Sequence, residues 1–132
     1  MTPWMRYLIA FLVLCHGFVY VRIGPTLPGR ITGWKGTSML LRRAVTGDTL
    51  IALVRVLHVL AGIAILACAV AMAFAPGWWR APAIIGGIIG LVAFAVFWDG
   101  QTRLLLEEGA VGLVASLVLL VGALEFPLAF GR

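Results

Sequence analysis

Four apolar runs separated by short polar or aromatic breaks organise the chain, at about 7–21, 50–75, 82–98 and 109–130. A helix that crosses a bilayer needs roughly 20 mostly apolar residues, because each residue advances only about 1.5 Å through a hydrocarbon layer about 30 Å thick. The second run, "LIALVRVLHVLAGIAILACAVAMAFA", has that length outright, and Asp48 or Thr49 is placed to cap it. The first is slightly short, and Trp4, Tyr20 and Arg22 extend it towards the interfaces. Pro82 suits the first turn of the third run, where its missing N–H is not needed, and Pro127 stands near the end of the fourth. Trp78, Trp79 and Trp98 fall at run ends, as an aromatic belt at the membrane surface requires. The pattern predicts an all-α fold, an integral membrane four-helix bundle forming a single transmembrane domain over residues 1–132.

The loop at about 22–49 is the longest polar stretch. Within it, "ITGWKGTSMLLRRAV" is either a short interfacial helix or an ordered loop, with Trp34 suited to the headgroup region. The first apolar run has the short basic start of a signal peptide but no small-x-small cleavage site, so it is expected to be a retained span.

Composition sharpens the picture. The chain is 63% hydrophobic and 11% charged, against about 25% charged in an average soluble domain. Too few polar residues remain to cover a water-facing surface, so the bilayer is the expected solvent and partner. Lysine and arginine are also unevenly placed. Arg22, Arg30, Lys35, Arg42, Arg43, Arg55 and Arg103 fall on the side of the long loop, and Arg6, Arg80 and Arg132 on the other. The positive-inside rule then puts both termini outside a prokaryotic cytoplasmic membrane and the 22–49 loop inside. Those basic residues adjoin spans, where anionic lipid headgroups are the natural counter-charge, and no nucleic-acid-binding motif accompanies them.

Helices in lipid associate through small residues that let backbones approach. Ala61, Ala64 and Cys68 form such a face in the second run, Gly86 and Gly90 a GxxxG pair in the third, and Gly112 and Ser116 a counterpart in the fourth. The GxxxG pair serves either the bundle itself or a partner chain. Ion pairs are expected at helix ends, Arg55 with Asp99 on the loop side and Glu125 at the level of Arg80 and Arg6 on the other, because antiparallel neighbours bring them to one level; the alternative for these charges is a proton or ion path. Glu107 and Glu108, in "LLLEEGAVG", precede the fourth run, where carboxylates favour a helix N-terminus.

Candidate chemistry is confined to the two histidines. His16 precedes the loop-side end of the first run by about six residues and His58 follows the start of the second by about eight, which puts both roughly 9–12 Å from one membrane face. Two imidazoles at one level could ligate haem iron or contact a quinone; they could equally hydrogen-bond a carbonyl, a hydroxyl or a neighbouring chain. His16 is expected to face protein, with Gly17 allowing a helix to approach, and to lock packing rather than carry a reaction. Cys15 and Cys68 have no CxxC or CxxH context, which gives no zinc or disulfide-exchange motif. Ser38 and Ser116 have no nucleophile-elbow context.

Three short motifs, "CHGFVY", "PGWWRAP" and "VFWDGQT", resemble those of small uncharacterised prokaryotic four-helix membrane proteins. In that group the first span carries a His-Gly pair, a Trp-rich turn precedes the third, and an aromatic–acidic segment closes the third. The resemblance implies a four-span fold and assigns no activity. A second histidine that often follows the His-Gly pair there is replaced here by the region of Val19 and Tyr20. In size alone the chain is similar to DoxX-type membrane proteins.

Two function classes follow. The first, and the preferred expectation, is a non-catalytic structural or accessory subunit without a cofactor, beside a protein partner or as a homo-oligomer, with no nucleic acid and no metal. The second is a redox or ligand-binding membrane protein that uses His16 and His58 for haem or quinone.

Overall fold

The structure, a computed structural model, describes residues 2–41, 44–45 and 47–125. Four α-helices carry it: α1 (Pro3–Arg22), α2 (Gly47–Phe74), α3 (Arg80–Phe97) and α4 (Ala110–Glu125). Short 3-10 turns lie at Gly24–Gly29 and Thr102–Leu104. Three of the helices, α1, α2 and α3, are long and apolar enough to cross a membrane, and α4 is a shorter apolar helix. The helices start where the local chemistry allows. Pro3 opens α1 four residues before the apolar run begins, and Asp48 in the first turn of α2 meets the positive end of that helix. The end of the fourth predicted span, with Pro127 and Phe130, lies outside the described residues, as do Arg42, Arg43 and Arg132.

The helices pack in chain order, α1 along α2, α2 along α3 and α3 along α4, whereas α1 and α4 meet only briefly. Glycines set the close approaches. A Cβ added at Gly62 of α2 would lie 2.9 Å from the Val21 backbone N and 3.0 Å from the Gly17 carbonyl O of α1. One added at Gly86 of α3 would lie 3.1 Å from the Ile65 backbone N of α2, and one at Gly90 only 2.5 Å from the Ser116 Oγ of α4. The GxxxG pair therefore works inside the bundle, Gly86 towards α2 and Gly90 towards α4. Ala61, Cys68 and Ser116 are fully buried, while Ala64 is half-buried beside Gly86. The outward faces carry large apolar side chains, among them Leu8, Phe11 and Phe18 on α1 and Val114, Leu117 and Val118 on α4. Such faces suit lipid and not water.

The loop after α1 folds back over one end of the bundle. Ile31 and Leu104 join Leu50, Val54, Val96 and Phe97 in a second apolar core. The Met39 backbone N–H donates to the Trp98 carbonyl at 2.7 Å, and the Leu41 N–H donates to the Ser38 Oγ at 3.2 Å. Of the two forms open to this segment, the described residues take the ordered loop: residues 31–41 form turns and no helix. Trp34 is half-buried and packs edge-on against Phe97, with ring centroids 5.0 Å apart. At the other end, Trp78 is exposed as a membrane-surface residue would be, but Trp79 turns inward and is buried.

Candidate ligand pocket between α1 and α4

Tyr20 is the centre of the site. It is buried, and its hydroxyl lies 3.0 Å from the Ser116 Oγ, which ties α1 to α4 where the two helices meet. Glycines make the slot: Cβ atoms at Gly90 and Gly112 would stand 3.1 and 3.2 Å from the Tyr20 hydroxyl. His16, one helical turn earlier, packs edge-on against the Tyr20 ring at 4.9 Å, and His58 of α2 stacks against that ring at 5.4 Å. The two histidines thus share a neighbourhood through Tyr20, which lies against both rings.

Their polar atoms differ. His58 Nδ1 is 2.8 Å from the Val54 carbonyl O. A carbonyl only accepts, so Nδ1 holds the proton and Nε2 carries the lone pair. Gly24 packs so closely on the His58 ring that no side chain would fit there, which fixes the imidazole in place. His16 is half-buried, and its Nε2 is buried without a hydrogen-bond partner. The polar lock expected of His16 is absent among the described residues; its contact with Tyr20 is ring against edge.

A cavity of about 260 Å³ opens beside these groups, walled by His16, Tyr20, His58, Phe94, Glu108 and Gly112. A second, apolar cavity of about 300 Å³ follows the α1–α4 seam between Ile9, Leu12 and Val13 on one side and Ala115, Val118 and Leu119 on the other. His16 borders both. The seam is open because α1 and α4 touch so briefly.

Glu108 departs most from the sequence reading. It does not cap α4, which starts two residues later at Ala110. Gly109, with φ +105°, turns the chain there, and the Glu108 side chain is 1% exposed. Burial, followed by the nearby Asp99 charge, pushes its carboxyl up to about 7. Asp99 moves the other way. Burial alone would raise it, but hydrogen bonds from the Gln101 side chain and backbone hold it below the usual carboxylate range. The Gln101 backbone N–H donates to Asp99 Oδ1 at 2.9 Å and the Gln101 side-chain amide donates to Oδ2. The Gln101 Oε1 in turn accepts from Arg103 Nε at 3.2 Å and Nη2 at 3.0 Å.

The expected ion pairs are not formed among the described residues. Arg55 Nε donates to the Pro25 carbonyl at 3.0 Å, while Asp99 is occupied by Gln101. Arg80 Nε donates to the Ala123 carbonyl at 3.0 Å, close to the end of α4, where carbonyls run out of helical partners, and Glu125 is exposed. Backbone carbonyls and the Gln101 amides satisfy these side chains in place of the opposite charges. Cys15 is exposed and Cys68 buried, both as free thiols. Among the described residues no cluster of three or more His, Cys, Asp or Glu side chains could hold a metal ion. No family model, no curated protein and no solved structure matches this chain.

Proposed function

We propose that this protein is a four-span membrane protein that binds a lipid-soluble molecule with a hydrogen-bonding ring head and an apolar tail, of which a quinone is the type. The observation that carries this is the composite seam. A pocket bordered by His16, Tyr20, His58 and Glu108 shares His16 with an apolar groove, and the His16 Nε2 is buried without a partner. Buried polar atoms without partners are costly and mark places where a ligand or water completes the bonding. The volume of about 260 Å³ lies near the lower end of small-molecule sites, about 300–1,000 Å³. A single ring suits it, with its tail leaving along the seam into lipid.

Haem is the weaker of the two cofactors considered. Ligation by both histidines needs the iron between their imidazoles, and Tyr20 packs against both of those rings. The binding role requires no catalysis. We place both termini outside a prokaryotic cytoplasmic membrane and the pocket near its inner face, on the strength of seven basic residues on the loop side against three on the other.

Titration of the protein in nanodiscs with decylubiquinone tests the reading. Saturable binding beyond partition into empty nanodiscs is the expected result; partition alone overturns it. A second reading, the accessory subunit, is favoured by the same open seam, since a helix of a protein partner or of a second copy could close it. Crosslinking from Cys15, exposed on α1, in native membranes would then capture a defined neighbour, and an uncrosslinked monomer would count against it.

A further inference from the structure

Among the described residues, Glu108 is the buried carboxyl group, and it is not accounted for by the fold. It caps no helix, it meets no cation, and it is one of the residues that wall the cavity, with its carboxyl buried against Asp99. Its partner in charge is Asp99, just beyond the end of α3. Two ionised carboxylates at close quarters repel, so such a pair is stable when it holds one proton. The donors around Asp99 decide where that proton sits. The Gln101 backbone and side-chain N–H groups both point at the Asp99 oxygens, which favours its ionised form. Glu108 has fewer: the Asp99 backbone N–H alone favours its ionised form, against the Gln101 side-chain and backbone groups and the Lys35 backbone on Asp99, so the shared proton belongs to Glu108.

We propose that Glu108 is the proton-bearing contact of the pocket: its protonated carboxyl, steadied by Asp99, donates a hydrogen bond to a carbonyl oxygen on the ring head of the bound molecule. The inference rests on the ligand reading above and adds the group that recognises the head. With no molecule bound, the Glu108 proton faces Asp99. A carbonyl entering the cavity offers a second acceptor, and no charge has to be buried to use it. The ionised carboxylate has only acceptors to offer a carbonyl and rejects it. The carboxyl value of about 7 sets this exchange near neutral pH.

Other groups near the pair titrate or carry charge. His16 and Tyr20 face the cavity from α1, His58 from α2 and Glu107 from the adjacent turn. Lys35 reaches Asp99 through its backbone, and Arg103 is held by Gln101. The test must therefore separate Glu108 from the histidines.

Decylubiquinone affinity is measured in nanodiscs from pH 6 to pH 8 for the wild type, Glu108→Gln and Asp99→Asn, with circular dichroism as the check on folding. If only the protonated form binds, the wild-type Kd rises about tenfold across that range. Glu108→Gln keeps a permanent N–H donor of the same shape, so it binds at both pH values with a flat profile. Asp99→Asn removes the neighbouring charge and moves the midpoint to lower pH. Infrared spectra supply a ligand-free readout: a protonated-carboxyl C=O band at pH 6 that Glu108→Gln removes. Saturable binding with a flat wild-type profile, or a slope that persists in Glu108→Gln, overturns this inference and leaves the ligand reading standing. No saturable binding at any pH overturns both.

Discussion

The Tyr20 hydroxyl lies 3.0 Å from the Ser116 Oγ, 96 residues further along the chain, and this contact joins the first and last helices where little else does. Both groups are buried. Removing one leaves the other without this partner, so Tyr20→Phe or Ser116→Ala should each cost about 1 kcal/mol of stability, in line with interhelical hydrogen bonds in membranes. The double variant should cost little more than either single one, because both delete the same bond. Denaturant unfolding in detergent micelles measures all three. Fully additive losses would mean that the two hydroxyls do not act on each other.

Glycine substitutions should divide by what they meet. At Gly62, an added Cβ faces the Val21 N and Gly17 O backbone atoms at 2.9 and 3.0 Å, and neither can swing aside. Gly62→Ala should destabilise by about 1–3 kcal/mol through overpacking. At Gly122 of α4 nothing lies within 4 Å, and Gly122→Ala should be neutral or gain up to about 1 kcal/mol from helix propensity. Thermal melts of the two variants, side by side, should move in opposite directions or leave Gly122→Ala unchanged.

The chain's helices were legible in its sequence because hydropathy encodes them directly; Gly86, Gly90 and Ser116 were legible as packing positions by their size, but whether Gly86 and Gly90 meet the bundle or a partner chain was not. Facing directions were less legible. Depth along a helix says nothing about which way a side chain points around it, and the Pro25 carbonyl bonds Arg55 while the Gln101 amides bond Asp99. Glu108 was hidden for a related reason. Two glutamates before an apolar run read as charges at a helix N-terminus, and only the positive φ of Gly109 turns the second one inward. The glycine between Glu108 and the helix was the available signal.

Membrane orientation can be read from two open glycines. Gly29 ends the first 3-10 turn and Gly77 lies in the α2–α3 turn, and neither has an atom within 4 Å of an added Cβ. In a background with Cys15→Ala and Cys68→Ala, a cysteine at Gly77 should react with an impermeant maleimide in whole cells. One at Gly29 should react only after the membrane is opened. The reverse pattern would invert the orientation.

Stability should fall as pH rises, because of Glu108. Its folded-state carboxyl lies at about 7 against 4.5 for the free group, so between those values the folded protein holds a proton that the unfolded chain has lost. The stabilisation is complete below about 4.5 and is lost as pH climbs through about 7, with a loss of at most about 3 kcal/mol. Asp99, held below its usual range, acts only at lower pH, where acid would protonate it and weaken the fold. The melting temperature in detergent should therefore drop from pH 5 to pH 8 in the wild type and change much less in Glu108→Gln. An equal drop in both would assign the effect elsewhere.

His16 should separate binding from folding. Its ring packs on the edge of Tyr20, it is only half-buried, and its Nε2 has no protein partner. The fold therefore uses its flat shape and leaves its nitrogen free. His16→Phe keeps an aromatic ring beside Tyr20, removes an unpartnered polar atom from the apolar seam, and should leave the melting temperature unchanged or raise it. The same change removes a polar contact that borders both the ring pocket and the tail groove. Decylubiquinone affinity should fall about tenfold, the loss of about 1.4 kcal/mol expected for one buried hydrogen bond. His16→Gln, which restores a polar end of similar reach, should recover part of it. If His16→Phe instead weakens the fold and leaves affinity intact, His16 is a packing residue, and the seam is shaped for a helix of another chain and not for a small molecule.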